Sequence, residues 1–344
     1  MAGTASFARN YWPVSGWRDA PAGEHGIDQT YLDRADRYAR EEAPQVAAML
    51  VVRHGYVVFE RYYSDFGPSS HFSVASVTKS VLSALVGIAL RDGLLRSVDQ
   101  PIEGFFPGQR TLGLTLRHLL TLTAGWPYHD FNHRPDTVAE MLAEPLASKP
   151  GERFQYGETP PHLVSAILSQ VTGSSASGYA VRELFQPLGI WREASRWREV
   201  PGTLSHTGEG AADGLPWKCD AQGISSGGHG LHLTIRDMAR FGLLYASSGW
   251  WGDRQLLPAE HVAESTRTQS RGGSPMWMPY GWFWWIPKWH RGHAMLAAGY
   301  GGQAIYVNSD SDLVIVLASK PASGSGMDDW TVLNRYLIPA ITDW

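Results

Sequence analysis

Cysteine is nearly absent from this chain of 344 residues, which carries a single one, Cys219. One cysteine cannot close an intrachain disulfide, and no cysteine-based catalytic motif surrounds it, so we interpret Cys219 as a small packing residue. Long apolar runs are absent too: no stretch reaches about 18 residues, so we expect no membrane span. The segment from Met1 to Gln29 lacks a basic region followed by an apolar one. We therefore expect a cytoplasmic protein, or one whose leader has been removed.

An excess of charge is absent as well. The chain has 29 basic and 33 acidic side chains and a formal net charge of −4, which leaves no electrostatic footprint for nucleic acid. Histidine pairs occur at His229 and His232 and at His290 and His293, but no matching carboxylate or cysteine set accompanies them. We therefore expect no metal site and no cofactor. The length suffices for a large core, and the oligomeric state stays open.

What the chain does carry is a serine followed three residues later by a lysine, in Ser76-Val77-Thr78-Lys79. Residues three apart on a helix are neighbours, so the amine can reach the hydroxyl. Unpaired N–H groups at a helix N-terminus suit a developing oxyanion, and a lysine among apolar side chains loses its proton more easily than one in water. The alternative is a serine that caps an ordinary helix. The helix is predicted to stop at Gly93 and to place these apolar residues on its buried face: Val77, Val81, Leu85 and Ile88.

Two further segments contain groups that suit acyl transfer. Tyr156 precedes a predicted helix, and a lysine beside a phenol lowers the pKa of that phenol, which can then shuttle the serine proton to a leaving group. Gly299, Gly301 and Gly302 precede a β-rich run. Backbone without side chains can approach a ligand closely, and the N–H of Tyr300 there suits a second oxyanion donor. The alternatives are a packed loop tyrosine and a tight turn.

Strand patterns lie near both ends of the chain, and helical patterns lie between them. A helix over Gln29–Glu42 precedes two β-rich runs split by His54-Gly55, which predict a hairpin. The economical arrangement pairs this hairpin with the late strands in one antiparallel sheet, so that the middle helices form a second lobe. The predicted middle helices are Leu116–Leu122, Thr137–Leu146, Pro161–Thr172, Ala176–Phe185 and Thr234–Ser247. The predicted late strands are Gly281–Trp285, His293–Ala298, Gly302–Asn308 and Leu313–Ala318, followed by a closing helix over Asn334–Ile341.

Four ordered segments resemble the serine β-lactamase and penicillin-recognising family, and most closely its esterase-like, class-C-related branch. Ser76–Lys79 matches the family's nucleophile motif, and Leu116–Gly125, Pro150–Tyr156 and Gly230–Gly242 look like three other motif segments of that branch. The resemblance implies an α+β, β-lactamase-like fold, with an antiparallel sheet of N- and C-terminal strands flanked by helices and an inserted, mainly helical lobe. It also implies one catalytic domain over 1–344, with an α/β lobe of about 28–75 plus 276–344 and a helical lobe of about 76–275.

The resemblance also implies roles for individual residues. Ser76 is the acylated nucleophile, Lys79 its base partner and Tyr156 the proton shuttle. The backbone N–H groups of Ser76 and Tyr300 form the oxyanion hole. Candidate substrate-binding residues are Glu158, Trp126, Trp282, Gly299 and Gly301.

Two departures from the family pattern bear on the substrate. Glu158 stands where the family usually has an asparagine that helps to hold the lysine and the substrate carbonyl. Because Thr159-Pro160-Pro161 turns the chain at once, we expect Glu158 to point away from Lys79 as a helix-start residue. The alternative is that Glu158 faces Lys79 and that an alkaline pH optimum deprotonates the lysine. Ala297-Ala298-Gly299 stands where β-lactamases have Lys-Thr-Gly, so the lysine that helps to bind a penicillin carboxylate is missing. Both departures favour esters or linear amides, as in the similar nylon-oligomer hydrolases.

These features predict a serine hydrolase that cleaves small carboxylic esters or linear amides through an acyl-enzyme on Ser76. A β-lactamase or D-amino-acid peptidase is one alternative. Another is a binder or sensor on the same scaffold that keeps Ser76 and Lys79 but does not deacylate. A second serine motif, G-x-S-x-G around Ser225, lacks the preceding strand and following helix of a nucleophile elbow, so we do not assign Ser225 as the nucleophile.

Overall fold

The computed structural model describes residue 9 and residues 11–127, 137–190, 199–201, 217–288, 290–320 and 330–344. Its strands are β1 (Val46–Arg53), β2 (Tyr56–Tyr62), β3 (Phe72–Ser73), β4 (Glu199–Pro201), β5 (Trp217–Cys219), β6 (His232–Leu233), β7 (Trp250–Trp251), β8 (Arg254–Gln255), β9 (Ser270–Gly273), β10 (Met278–Tyr280), β11 (Ala294–Gly299), β12 (Gln303–Asn308) and β13 (Leu313–Ser319). Its α-helices are α1 (Gln29–Glu41), α2 (Val77–Arg91), α3 (Leu116–Leu120), α4 (Val138–Ala143), α5 (Thr159–Thr172), α6 (Ala176–Ala180), α7 (Gln186–Leu188), α8 (Ile235–Ala246) and α9 (Ala259–Ser265). Single turns of 3₁₀-helix cover Ala22–His25 and Ile102–Phe105, and π-helical segments cover Val181–Phe185 and Val332–Leu337.

The central sheet joins the two ends of the described chain. Its five antiparallel strands run in the order β11-β12-β13-β1-β2, so the N-terminal hairpin pairs directly with the C-terminal strands. His54 and Gly55 have φ values of 53° and 85°, and a two-residue turn with positive φ at both positions matches the twist of a hairpin. The predicted hairpin and the predicted sheet are confirmed.

Helices cover the sheet and fill the rest of the core. Helix α8 packs on β12, β13 and β1, and α1 packs on the helical segment Val332–Leu337. Helix α2 is buried on all sides from Val77 to Ala89, which is typical of a helix that passes through a core. Because α2 contacts both α5 and β11, its N-terminus lies where helices and sheet meet. None of the described helices is long and apolar enough to cross a membrane.

Most predicted elements are confirmed with small changes at their ends, but the predicted strand over Gly281–Trp285 is wrong. Phe283 adopts φ 60°, and the N–H of Gly281 donates to the carbonyl of Trp284, so the chain turns there. A side chain at Gly281 would also meet the carbonyl of Ser265, which keeps this turn close to α9. The closing helix begins earlier than predicted, at Val332. The division of the chain into two lobes stays a prediction.

Candidate active site

Ser76 lies at the N-terminus of α2, as predicted. It is the residue before the first helical position, with φ −69° and ψ −5°. Ala75, directly before it, has φ 47°, a left-handed conformation that costs free energy for a residue with a side chain. The hydroxyl of Thr78 donates to the carbonyl of Ala75 at 2.7 Å and holds this turn. The turn therefore places the Ser76 hydroxyl in a fixed position at the start of a buried helix.

Lys79 lies one turn along α2 and is only 1% exposed. Its Nζ is 2.9 Å from Ser76 Oγ, 2.7 Å from Glu158 Oε1 and 2.9 Å from the carbonyl oxygen of Gly228. Helical spacing explains the contact with Ser76. The other two contacts join segments 79 and 149 residues apart, which no local pattern predicts.

The expectation that Glu158 points away from Lys79 is wrong. Glu158 lies directly before α5 and its carboxylate forms a buried ion pair with Lys79. Nδ1 of His229 lies 3.2 Å from the second carboxylate oxygen, Oε2. A side chain on Gly228 would overlap this oxygen, so the glycine provides the space that the carboxylate occupies. Burial alone raises the pKa of Glu158, but Lys79 and His229 outweigh it and hold that pKa well below its usual value.

Tyr156 lies beside this ion pair, with Lys79 Nζ 4.9 Å from the centre of its ring. Burial raises the pKa of Tyr156, and the charge of Glu158 acts in the same direction. Together they outweigh the opposing effects of the Lys79 charge and of hydrogen bonds to Ser76 and Lys79. The expectation of a lowered pKa is therefore wrong, because the sequence indicated the cation but not the desolvation. The Tyr156 ring stacks on Trp285 at 5.5 Å and meets Tyr280 edge to face at 6.4 Å.

The end of β11 approaches the turn before Ser76. A side chain on Gly299 would overlap the carbonyl of Val74, so only glycine allows this close approach. Gly301 and Gly302, with φ 83° and 87°, form the tight turn that leads into β12. Tyr300 lies between them and Gly299 and is 45% exposed. The assignment of its N–H to an oxyanion hole stays a prediction.

The two tryptophans assigned to substrate binding are both buried in the core. The ring centre of Trp282 lies 5.4 Å from Arg117 Cζ and 5.4 Å from the ring centre of His261. Trp126 is 4% exposed. Their role stays a prediction. The tryptophan stacked on Tyr156 is Trp285, which is not among the substrate-binding residues predicted from the sequence.

Sequence reasoning also missed Gly228 and His229, which hold Lys79 and Glu158. Both directly follow the rejected serine motif, and His229 was considered only as a metal ligand. Ser225 itself is fully buried, and its hydroxyl accepts from the N–H of Ser177 at 3.1 Å. The signal that the sequence holds for this segment is the pair Gly227-Gly228, because consecutive glycines allow other chain segments to approach closely.

Comparison with known proteins agrees with this fold. The β-lactamase family profile matches residues 35–336, and the chain belongs to that family. The 6-aminohexanoate-dimer hydrolase of Paenarthrobacter ureafaciens is 24% identical over 327 residues, which cover 83% of this chain and 75% of that protein. The chain matches only part of other curated relatives. An uncharacterised protein from Alkalihalophilus pseudofirmus is 24% identical over 235 residues, which cover 65% of this chain and 65% of that protein. Penicillin-binding protein 4* from Bacillus subtilis is 27% identical over 135 residues, which cover 36% of this chain and 30% of that protein.

Solved structures share the architecture. A Bacillus anthracis protein described as a 6-aminohexanoate-dimer hydrolase superposes with a TM-score of 0.72 at 18% identity, over 95% of this chain and 87% of that one. EstCE1, described as a hydrolase with promiscuous acyltransferase activity, superposes with a TM-score of 0.68 at 18% identity, over 92% and 99%. At these identities the likeness defines the β-lactamase-like fold.

Proposed function

We propose that the protein is a serine hydrolase that cleaves carboxylic esters and linear amides through an acyl-enzyme on Ser76. The observation that carries the proposal is the 2.9 Å contact between Lys79 Nζ and Ser76 Oγ at the N-terminus of a buried helix. A serine needs an adjacent base to act as a nucleophile, and a buried amine beside it can serve. Membership of the β-lactamase family and relatives described as hydrolases support the same class of reaction.

The proposed reaction proceeds in two halves. Lys79 as the free amine takes the Ser76 proton while Oγ attacks the substrate carbonyl carbon, and the N–H groups of Ser76 and Tyr300 receive the oxyanion. Tyr156 donates its proton to the leaving oxygen or nitrogen as the carbon–leaving-group bond breaks, and it regains a proton from Lys79. Water then attacks the acyl-enzyme by the same route in reverse, which releases the carboxylic acid and frees Ser76.

The surroundings of Ser76 favour an uncharged acyl group. Phe154, Tyr280 and Trp285 pack around Tyr156, so apolar surface lies beside the reacting groups. The segment Ala297-Ala298-Gly299 offers no cation for a substrate carboxylate. An apolar wall with few polar groups is typical of small-molecule sites that bind neutral substrates.

Turnover of p-nitrophenyl acetate by matched serine variants tests the proposal. We expect Ser76→Ala to lose essentially all turnover, because it removes the nucleophile, and Ser225→Ala to keep most of it. Active Ser76→Ala protein together with inactive Ser225→Ala protein would reverse the assignment. Steady release of p-nitrophenolate identifies a hydrolase, whereas one stoichiometric burst identifies a binder or sensor that acylates and stops.

A further inference from the structure

The contacts of Lys79 define where its lone pair points when the amine is neutral. An ammonium group has three N–H donors, whereas a neutral amine has two donors and one lone pair. Of the three groups around Nζ, the Glu158 carboxylate and the Gly228 carbonyl can only accept a hydrogen bond. The Ser76 hydroxyl can accept or donate. Loss of one proton from Lys79 therefore leaves both acceptors satisfied and directs the lone pair at the Ser76 hydroxyl.

A carboxylate at this position has a cost that the structure offsets. An ionised Glu158 stabilises the ammonium form of Lys79, which cannot take the Ser76 proton. When Lys79 is neutral, Glu158 would be a buried carboxylate without its cation, which is expensive unless other hydrogen bonds hold it. His229, 3% exposed, supplies such a bond through Nδ1, because an ionised carboxylate can only accept.

We propose that the Glu158–His229 pair is a positioning device of this hydrolase: Glu158 orients the lone pair of Lys79 toward Ser76, and His229 holds the Glu158 carboxylate in place when Lys79 is neutral. The proposal rests on the proposed function and adds two residues that the family motifs do not contain. Glu158 and His229 act through Lys79, so neither needs to touch the substrate.

The titratable groups around this pair lie on two sides. Lys218 on β5 is hydrogen-bonded through its backbone to Ser226 and Gly230, on either side of His229. Tyr156 lies over Lys79, and Tyr280 lies behind Tyr156. Burial raises the pKa of Tyr156 and of Tyr280, so both phenols keep their protons at neutral pH. Ser226 Oγ lies 3.4 Å from Nδ1 of His229 and carries no charge.

Substitutions of Glu158 and of His229 are expected to shift the pH dependence of Ser76 reactivity in opposite directions. Glu158→Gln removes a negative charge 2.7 Å from Nζ but keeps a carbonyl oxygen that can accept from it. The ammonium form of Lys79 is then no longer favoured by this charge, so the acid limb, the pH range over which Ser76 reactivity rises, moves down by about one unit or more. His229→Leu removes a hydrogen-bond donor from the carboxylate. The carboxylate then favours the ammonium form of Lys79 more strongly, and the acid limb of Ser76 reactivity moves up.

The test measures how fast a p-nitrophenyl phosphonate labels Ser76 between about pH 5 and pH 10. In this reaction the Ser76 Oγ–phosphorus bond forms, p-nitrophenolate leaves, and the Ser76 proton passes to Lys79. Mass spectrometry of the adduct gives the rate without need of a natural substrate. We expect Glu158→Gln to shift the limb down, His229→Leu to shift it up, and His229→Gln to restore part of the shift through its amide N–H.

Matched controls separate this role from a general loss of structure. His162 is an equally buried histidine, paired with Asp220 at 3.0 Å instead of with Glu158, and His162→Gln is expected to leave the limb in place. If Glu158→Gln does not fold, Glu158→Asn supplies the family's amide in its place. Shifts in the same direction for Glu158→Gln and His229→Leu, or no shift in either, would overturn the inference while the proposed function stands. Failure of the wild-type protein to be labelled at Ser76 would overturn the proposed function itself.

Discussion

At Tyr156, burial and a nearby cation act on the same phenol in opposite directions. The pKa of Tyr156 is raised because desolvation outweighs the Lys79 charge. A phenol with a raised pKa keeps its proton at neutral pH, so it is poorly suited to take a proton from Ser76 and well suited to give one. In the proposed reaction, Lys79 is therefore the base and Tyr156 is the acid.

Tyr156→Phe should therefore affect substrates according to their leaving groups. An alkoxide or an amide nitrogen must be protonated as it leaves, so we expect hydrolysis of an alkyl ester or a linear amide to fall by about 100-fold or more. The p-nitrophenolate ion leaves without a proton, so the loss for the matching p-nitrophenyl ester should stay below about tenfold. Measured kcat/KM values for the two esters of the same acid decide this, because they report acylation, in which the leaving groups differ. Equal losses would show that Tyr156 acts on Ser76 instead.

His261 is a buried histidine whose titration should affect stability. Burial lowers the pKa of His261 to about 4. In the unfolded chain a histidine takes up a proton below about pH 6.5, so the unfolded state binds more protons between these two values. The free energy of unfolding should therefore fall as pH drops from about 6.5 to about 4, by an amount on the order of 3 kcal/mol.

Urea denaturation at several pH values measures this effect. His261→Leu should remove this part of the pH dependence, because leucine does not titrate. If the variant and the wild-type protein lose stability in parallel over the same pH range, His261 is not the responsible group.

Helix α2 connects the packing of the core to the position of Ser76. Its buried Gly87 faces the ring of His261, and a Cβ at this position would lie 2.5 Å from His261 Cδ2. Gly87→Ala should therefore destabilise the protein by about 1–3 kcal/mol through overpacking, despite the better helix propensity of alanine. Gly104→Ala is the matched control, because a Cβ there meets nothing within 4 Å.

The difference in stability is measured from the midpoints of urea unfolding of the Gly87→Ala and Gly104→Ala proteins. A Gly87→Ala protein as stable as the Gly104→Ala protein would mean that His261 moves aside at little cost. Because α2 also carries Ser76 and Lys79, the kcat of Gly87→Ala for p-nitrophenyl acetate reports whether the strain reaches the site.

Across the chain, predictions from sequence succeeded where the information is local. Ser76 and Lys79 are three residues apart on one helix, and the His54-Gly55 turn lies within one hairpin, so spacing and turn chemistry sufficed. The 71 residues that separate Glu158 and His229 carry no periodic pattern that joins them. The same holds for the pKa of Tyr156, because desolvation depends on packing from several distant segments.

Substrate choice depends on how the fold combines its distant parts at the site. The segment Ala297–Gly299 brings no cation beside Ser76, whereas Trp285 brings apolar surface against Tyr156. The carboxylate of a β-lactam would therefore find no partner charge in this segment, and the buried carboxylate of Glu158 adds a like charge near the reacting groups. We expect kcat/KM for a short p-nitrophenyl ester to exceed that for nitrocefin by at least about tenfold, roughly 1.4 kcal/mol of transition-state stabilisation. Steady-state rates for both substrates on one preparation, with Ser76→Ala as the blank, make the comparison. Nitrocefin hydrolysis as fast as ester hydrolysis would contradict the preference for neutral acyl groups and would require another residue to bind the β-lactam carboxylate.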